Sequence, residues 1–135
     1  MTARPTRQTR ERAAKELREV LDGRLFGALC DPVRASLVEF LTINGRSDIA
    51  TVAAAFPQDR SVISRHLSSL YAAEVVRREK VGRQVFFEVD GTAVVTRLEE
   101  ILARFRRIVP LCCPPGARRF PGGRRTGREG EGVRT

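Results

Sequence analysis

Apolar residues recur along this chain with two different periods, and the periods separate predicted helices from predicted strands. A spacing of three and four residues, typical of amphipathic helices, covers five segments, at residues 11–29, 33–41, 49–56, 60–73 and 92–109. Two β-rich runs, at 75–80 and 84–89, lie between the fourth and fifth of these segments, and Val85, Phe87 and Val89 alternate with partners across the expected hairpin. The pattern predicts five helical segments with a hairpin before the last one.

Several residues mark where these elements begin and end. Gly23 and Gly27 weaken the first helical segment or break it in two. Asp31, followed by a proline, suits a helix start, and Asp59 occupies the capping position of the fourth segment. Pro110 is expected to stop the last helix. Helix 60–73 is expected to bury its apolar residues and to leave a face of Arg and Ser side chains outside.

The two ends of the chain differ from the middle. Residues 1–10 are polar and basic, and we expect a flexible arm there. Residues 114–135 are rich in Arg, Gly and Pro and have few apolar side chains, which predicts a disordered tail. Residues 11–113 are then one domain. The chain has neither an apolar run of about 20 residues nor a secretory h-region, so we expect a cytoplasmic protein without a membrane partner.

The charge balance favours an anionic partner. Lys and Arg number 25 against 16 Asp and Glu, a net charge of +9, and nucleic acid is the commonest partner of such a chain. The charge is uneven, because residues 114–135 hold six Arg and two Glu, whereas residues 46–88 hold seven cations and five acids. DNA recognition would therefore depend on the placement of a few side chains.

The order of elements indicates how such placement could arise. A short helix, a turn, a helix with an Arg-bearing polar face and a two-stranded hairpin form a winged helix-turn-helix, a mainly α fold with a small β-hairpin. A solvated helix face would explain the Arg and Ser residues alone, but the ordered set of elements and the charge together favour DNA binding. The predicted DNA-binding residues are Arg60, Ser61, Val62, Ser64, Arg65, His66, Lys80 and Arg83.

Three segments resemble one protein family in sequence and in order. LFGALCDPVRASLVEFL is similar to the opening of the arsenic-responsive repressors of the ArsR/SmtB type, SVISRHLSSL resembles their recognition helix, and RREKVGRQVFFEV resembles their wing. The resemblance covers about residues 20–110. It implies a homodimeric repressor that binds a palindromic operator in double-stranded DNA and joins its protomers through the first and last helices. The predicted dimer residues are Leu17, Leu21, Leu98, Ile101, Leu102 and Phe105.

The sequence departs from that family in two ways. The turn after the recognition helix is usually Gly in the family, and here it is Ala73-Glu74. The family's Cys-x-Cys pair is absent from segment 49–56, and the last helix lacks the His that the family's other common metal site needs.

The thiols indicate a different sensing chemistry. Cys112 and Cys113 are adjacent, with Cα atoms about 3.8 Å apart, which strains a disulfide between them but lets both reach one central atom. With Cys30 they offer three thiolates and no usable His, which does not suit a tetrahedral zinc site. Three thiolates suit trivalent arsenic or antimony, and the resemblance makes arsenite the leading effector, with antimonite beside it. Cys30 would complete the site from either subunit.

Other functions remain open from the sequence. Cadmium, lead, mercury or cuprous ions are alternative effectors, and a thiol-redox or persulfide sensor of the same fold would bridge Cys30 to Cys112 or Cys113. A constitutive DNA-binding protein with idle cysteines is a further alternative, with Cys30 as a small buried thiol. A thiol enzyme would need Cys30 beside His66, the only His, and His66 lies on the helix assigned to DNA. We therefore expect no enzyme activity.

Overall fold

The structure, a computed structural model, describes residues 4–21, 23–113 and 116. The first three residues of the predicted arm and nearly all of the predicted tail lie outside this described part. Six helices and three strands follow one another as α1 (Arg7–Val20), α2 (Arg24–Leu29), α3 (Pro32–Asn44), β1 (Ser47–Asp48), α4 (Ile49–Ala54), α5 (Arg60–Ala72), β2 (Val76–Val81), β3 (Gln84–Val89) and α6 (Gly91–Cys112).

The predicted winged helix-turn-helix is confirmed. Helices α4 and α5 form the helix-turn-helix, and β2 pairs with β3 in antiparallel register from Val76↔Val89 to Val81↔Gln84 to form the wing. The sheet has a third strand, because β1 adds to the other edge of β3 through Ser47↔Phe87 and Asp48↔Phe86. Two residues are too few for alternation to be visible in the sequence, so this strand was not predicted.

The first helical segment divides as its glycines predict. Gly23 takes a left-handed φ of 77° between α1 and α2, a conformation that costs glycine little. The start differs from the prediction, since α1 begins at Arg7 and not at 11. The hydroxyl of Thr6 accepts a hydrogen bond from the backbone N–H of Thr9 and caps the helix there. Residues 7–10 of the predicted flexible arm are therefore helical.

Aspartates cap three of the later helices. The Asp31 carboxylate accepts from the backbone N–H groups of Val33 and Arg34 at 2.9 and 3.1 Å, ahead of a proline in the first turn of α3. Asp48 caps α4 through Thr51 and Asp90 caps α6 through Ala93. Asp59 holds the predicted capping position of α5, but its side chain makes no capping hydrogen bond.

The prediction that Pro110 stops the last helix is wrong. Helix α6 continues through Pro110 to Cys112, and Cys113 caps it with a backbone N–H that donates to the carbonyl of Val109 at 2.7 Å. A proline in the last turn forfeits only its own N–H bond, and the turn that follows still closes. Cys112 consequently belongs to the helix and does not follow it.

One hydrophobic core joins these elements. Leu37 and Leu41 of α3, Val52 of α4 and the apolar side of α5 are almost fully buried, with Phe87 of the sheet and Ile101 of α6 at the margin. Helix α6 lies antiparallel along α1, where Arg107 pairs with Glu16 at 2.7 Å and Arg10 donates to the carbonyl of Leu111 at 3.3 Å. No helix in the described part of the chain is both long enough and apolar enough to span a membrane.

Candidate functional site

Helix α5 presents two chemically different faces. Ile63, Leu67 and Leu70 are fully buried against α3, α4 and the sheet. On the opposite side, the predicted DNA-binding residues Arg60, Ser61 and Arg65 are exposed, while Val62, Ser64 and His66 are half-buried. The spacing of the buried residues thus fixes which side chains α5 offers to a partner.

The wing extends beside this helix. Gly82 takes a φ of 61° at the hairpin tip, and the predicted contacts Lys80 and Arg83 are both exposed. The Arg78 guanidinium lies over the Tyr71 ring, 4.3 Å from its centre, and joins the wing to the end of α5.

A second guanidinium anchors the opposite edge of the sheet. Arg46 lies 4.6 Å from the centre of the Phe86 ring and pairs with Glu79 at 3.0 Å. These cation–π contacts were missed by sequence reasoning, because the partners lie in separate elements and share no periodic signal.

His66 is held by an arginine from outside the helix-turn-helix. The Nε of Arg34 donates to His66 Nδ1 at 3.1 Å, and Nη1 of Arg34 donates to the Gly27 carbonyl at 3.2 Å. Because Nδ1 accepts, the neutral His66 ring carries its proton on Nε2. Arg34 was not among the predicted site residues, and its place in the resembling segment gave no indication of this contact.

The two adjacent thiols lie together at the end of α6. Cys112 Sγ and Cys113 Sγ are 3.3 Å apart, and both residues are exposed. The hydrogen bond to Cys112, with the nearby charge of its thiolate, raises the pKa of the Cys113 thiol above its usual range. Two neighbouring thiols can both bind one thiophilic atom once their protons are lost.

Cys30 occupies a separate part of the chain. It caps α2, which packs on α3 and α5. The alternative explanation of Cys30 as a small buried thiol requires a buried residue, whereas Cys30 is exposed. Among the residues that the structure describes, no group of three or more Cys, His, Asp or Glu side chains forms a metal site. One chain therefore brings together Cys112 and Cys113 but not Cys30.

Helix α6 has an apolar stripe that the rest of the chain leaves uncovered. The exposed side chains at helical spacing are Val95, Leu98, Leu102, Phe105 and Val109. Leu102 and Phe105 are 48% and 45% exposed. Leu17 of α1 and Leu21, which caps the end of α1, are half-buried. Ile101, predicted in the same set, is only 7% exposed and belongs to the core, at the buried margin of the helix face that also carries Phe105 four residues later.

Solved structures share this architecture. A protein described as a possible transcriptional regulator for arsenical resistance is 32% identical, over 64% of this chain and 83% of that chain, with a TM-score of 0.49. An ArsR-like transcriptional regulator from Rhodococcus sp. RHA1 is 27% identical, over 71% and 88%, with a TM-score of 0.54. A homodimeric winged helix-turn-helix domain from Mycobacterium bovis is 17% identical, over 82% and 94%, with a TM-score of 0.51, a likeness of fold alone.

The ArsR-like regulator from Rhodococcus sp. RHA1 decides the family, because it shares both this fold and 27% sequence identity over 88% of its length. The chain belongs to the ArsR/SmtB family of winged helix-turn-helix transcriptional regulators. No family model matches the sequence, and neither does any curated protein.

The ArsR/SmtB turn after the recognition helix is built here with an unusual residue. Glu74 takes a φ of 61°, its N–H donates to the Tyr71 carbonyl at 3.0 Å, and the Val75 N–H donates to the Leu70 carbonyl at 2.9 Å. These two bonds form a Schellman motif, whose left-handed position usually holds Gly. The departure from glycine at Ala73-Glu74 therefore leaves this turn intact, because Glu74 itself adopts the left-handed conformation.

Proposed function

We propose that this ArsR/SmtB-type chain is a DNA-binding transcriptional repressor, released from its operator by trivalent arsenic or antimony bound to cysteine thiolates. The observation that carries the DNA-binding part is the exposed polar face of α5 beside a wing with exposed cations. An α-helix fits the major groove, which is about 12 Å wide, and the first residues of the helix then reach the base edges. Arg60, Ser61 and Arg65 are in that position on α5.

The experiment for this part is selection of duplexes from a random-sequence pool by the full chain. We expect an enriched palindrome, because two recognition helices related by a two-fold axis read identical half-sites about one helical turn apart. Recovery of an unenriched pool at low salt, with binding that disappears equally for every sequence as salt rises, would show non-specific attraction only and contradict a repressor function.

We further propose that the operator-binding form is a homodimer joined through α1 and α6. The support is the apolar stripe of Val95, Leu98, Leu102, Phe105 and Val109, since monomeric proteins rarely leave so continuous an apolar face in water. The related domain from Mycobacterium bovis is homodimeric. In this arrangement Leu17 and Leu21 of α1 flank the stripe, and Ile101 supports it from the core.

The effector site would be built around the Cys112–Cys113 pair. Sulfur atoms 3.3 Å apart can share one central atom, and trivalent arsenic or antimony takes three sulfur ligands. Cys30, which is exposed at the end of α2, would supply the third thiolate from its own chain or from the partner protomer. The residues present fit such a soft, low-coordinate ion better than zinc, which prefers four Cys or His ligands.

The position of the pair suggests how binding would release DNA. Cys112 is the last residue of α6, and the adjacent carbonyl of Leu111 accepts from Arg10 of α1. Drawing both sulfurs onto one ion would reorganise this last turn, at the end of the two helices that join the protomers. A change in the dimer would move the recognition helices away from successive major grooves, about 34 Å apart.

Thiol counting separates this effector from its alternatives. We expect arsenite to protect Cys112 and Cys113 from alkylation, with Cys30 protected as well, and intact-mass analysis to show bound arsenic. Parallel incubations use antimonite, cadmium and zinc. A covalent mass change after peroxide or polysulfide, without protection by arsenite, would replace the effector with a redox or persulfide signal.

A further inference from the structure

A groove runs along α5, between this helix and the segment made of α2 and the start of α3. Two adjoining cavities of about 380 and 270 Å³ share Arg34 and Ser69, so they form one continuous depression. One wall comes from α2 and the start of α3, with Arg24, Gly27 and Arg34. The other comes from α5, with Arg65, His66 and Ser69. We call this depression the α2–α5 groove.

The described residues that line the α2–α5 groove include three arginines. Arg24, Arg34 and Arg65 contribute guanidinium groups, and no Asp or Glu is among the described residues that line either cavity. Asp31, three residues before Arg34, is turned toward the backbone N–H groups of Val33 and Arg34. Three guanidiniums around one depression favour an anion with several oxygen acceptors, and a phosphate group is the common biological case.

Arg34 is held in place with donors to spare. Its contacts use Nε for His66 and one Nη1 hydrogen for the Gly27 carbonyl. A guanidinium has five N–H donors, so three remain on the two Nη atoms. The Arg34 side chain is half-buried and tied at two points, and it therefore loses little conformational freedom when it binds an anion.

Gly27 gives an independent indication that the groove is kept open. It lies inside helix α2, where glycine is less stable than alanine, and a Cβ placed there would meet no atom within 4 Å. Packing within the chain therefore does not require a glycine at this position. Because Gly27 lines the groove, we expect an added methyl group to narrow it.

The location of the groove points to one source of phosphate. A helix seated in the major groove has a sugar-phosphate backbone on each side of it. On one side of α5 the wing offers Lys80 and Arg83. The α2–α5 groove also lies beside α5, and it includes Arg65 of the predicted base-reading face.

We propose that the α2–α5 groove binds a phosphate of the DNA backbone beside the recognition helix, with Arg34 and Arg24 as its ligands. This inference rests on the proposed DNA binding and adds a second anchor to that of the wing. Arg34 also fixes the orientation of His66, so one guanidinium links the phosphate contact to the recognition helix. A phosphate contact contributes affinity without sequence preference.

The test compares Arg24→Gln and Arg34→Gln with the control Arg12→Gln, which removes the same charge from an exposed position on α1. Affinity of the full chain for a selected duplex and for a scrambled duplex is measured across a salt series. We expect each groove variant to weaken binding to both duplexes several-fold and to lower the salt slope by about 1, the value for one lost phosphate contact. Arg12→Gln should leave the slope as it is in the unmodified chain.

Gly27→Ala provides a second variant that does not depend on charge. We expect it to melt at a higher temperature, because alanine favours the helix, and yet to bind both duplexes more weakly. Loss of affinity together with a gain in stability is an outcome that damage to the fold cannot produce.

The possible failures are distinct. If the chain binds DNA and the Arg24→Gln and Arg34→Gln slopes equal that of Arg12→Gln, or if Gly27→Ala binds unchanged, the groove inference is overturned while the proposed function stands. If inorganic phosphate shifts the amide resonance of Gly27 in the unmodified chain and not in Arg34→Gln, while the DNA slopes stay unchanged, the groove binds a free anion and the DNA assignment is wrong. If no duplex binds at any salt concentration, the proposed function itself fails.

Discussion

Asp31 shows how a single side chain defines where a helix begins. Its carboxylate accepts two backbone N–H bonds at the start of α3, and the Arg34 N–H is the main reason that the pKa of Asp31 lies below its usual value. Thr51 has the same effect on the pKa of Asp48 at the start of α4. Such caps involve residues two or three positions apart, so the sequence is sufficient to predict them.

The Asp31 cap should make the stability of the chain depend on pH in acid. A lowered pKa in the folded state means that the contribution is complete above the unfolded value, about 4, and is lost as the pH falls through the lower folded value. Asp31→Asn can still accept a capping hydrogen bond but cannot titrate. We expect its melting temperature to fall less steeply than that of the unmodified chain between about pH 5 and pH 3, the range in which Asp31 is protonated. Identical slopes would argue against a role for the Asp31 charge.

Glu74 should be a site where a substitution stabilises the protein. A left-handed φ costs a side-chain-bearing residue about 1–2 kcal/mol, whereas the extra unfolded-state freedom of glycine offsets about 0.5–1 kcal/mol of any gain. Glu74→Gly should therefore raise the free energy of unfolding by about 0.5–1 kcal/mol, measured by urea denaturation. Glu74→Ala retains the strain and serves as the control. A gain with alanine equal to the gain with glycine would assign the effect to the lost charge and not to the backbone.

Other residue-scale features could not have been predicted. Arg34 reaches His66 across 32 positions, and Arg78 lies over Tyr71 from a different element. A contact between distant segments depends on the tertiary packing, which a local pattern does not contain. For the same reason the sequence could assign Cys112 and Cys113 to one location but could not place Cys30 relative to them.

At the scale of elements, periodicity predicted the type and order of every helix and of both wing strands. It failed where an element is too short to have a period, as in β1, and where a local signal is overridden, as at Pro110. The ends of the elements differ from the predicted ends by a few residues, because a cap such as Thr6 can start a helix before the apolar pattern begins.

The exposed stripe of α6 gives an element-scale prediction. Leu102→Glu or Phe105→Glu should convert the dimer to a monomer without unfolding it, because both side chains are about half exposed in one chain. Sedimentation velocity measures the change. Ile43→Glu is the matched control, as Ile43 is 73% exposed on α3 and outside the stripe. Unaltered sedimentation of both stripe variants would place the dimer contact elsewhere.

The recognition helix gives a second element-scale prediction. Arg65→Ala should cost about 1–3 kcal/mol of affinity for the selected duplex and relax preference at one base position, if the guanidinium reads a base edge. Competition binding with single-base variants of the duplex measures both effects. An equal loss on every sequence would instead assign Arg65 to a phosphate.

At the scale of the whole molecule, the net charge does not indicate where on the chain DNA would bind. The +9 of the chain includes the cationic residues 114–135, whereas the helix-turn-helix and wing combine Arg46, Arg77 and Arg78 with neighbouring acids or aromatic rings. In the proposed complex with DNA, the contact surface depends on the positions of the exposed cations Arg60, Arg65, Lys80 and Arg83. The family and the fold were predictable from ordered local segments, but the assembly that would unite the three thiols depends on two copies of the chain.

The central claim is that thiol chemistry at the end of α6 controls DNA binding at α5. Its most direct test is arsenite titration of the preformed complex between the full chain and a fluorescent selected duplex, followed by anisotropy. We expect release from the unmodified chain, whereas Cys112→Ser and Cys113→Ser should bind the duplex with unchanged affinity and resist release. Release of both variants at the arsenite concentration that releases the unmodified chain would contradict the account.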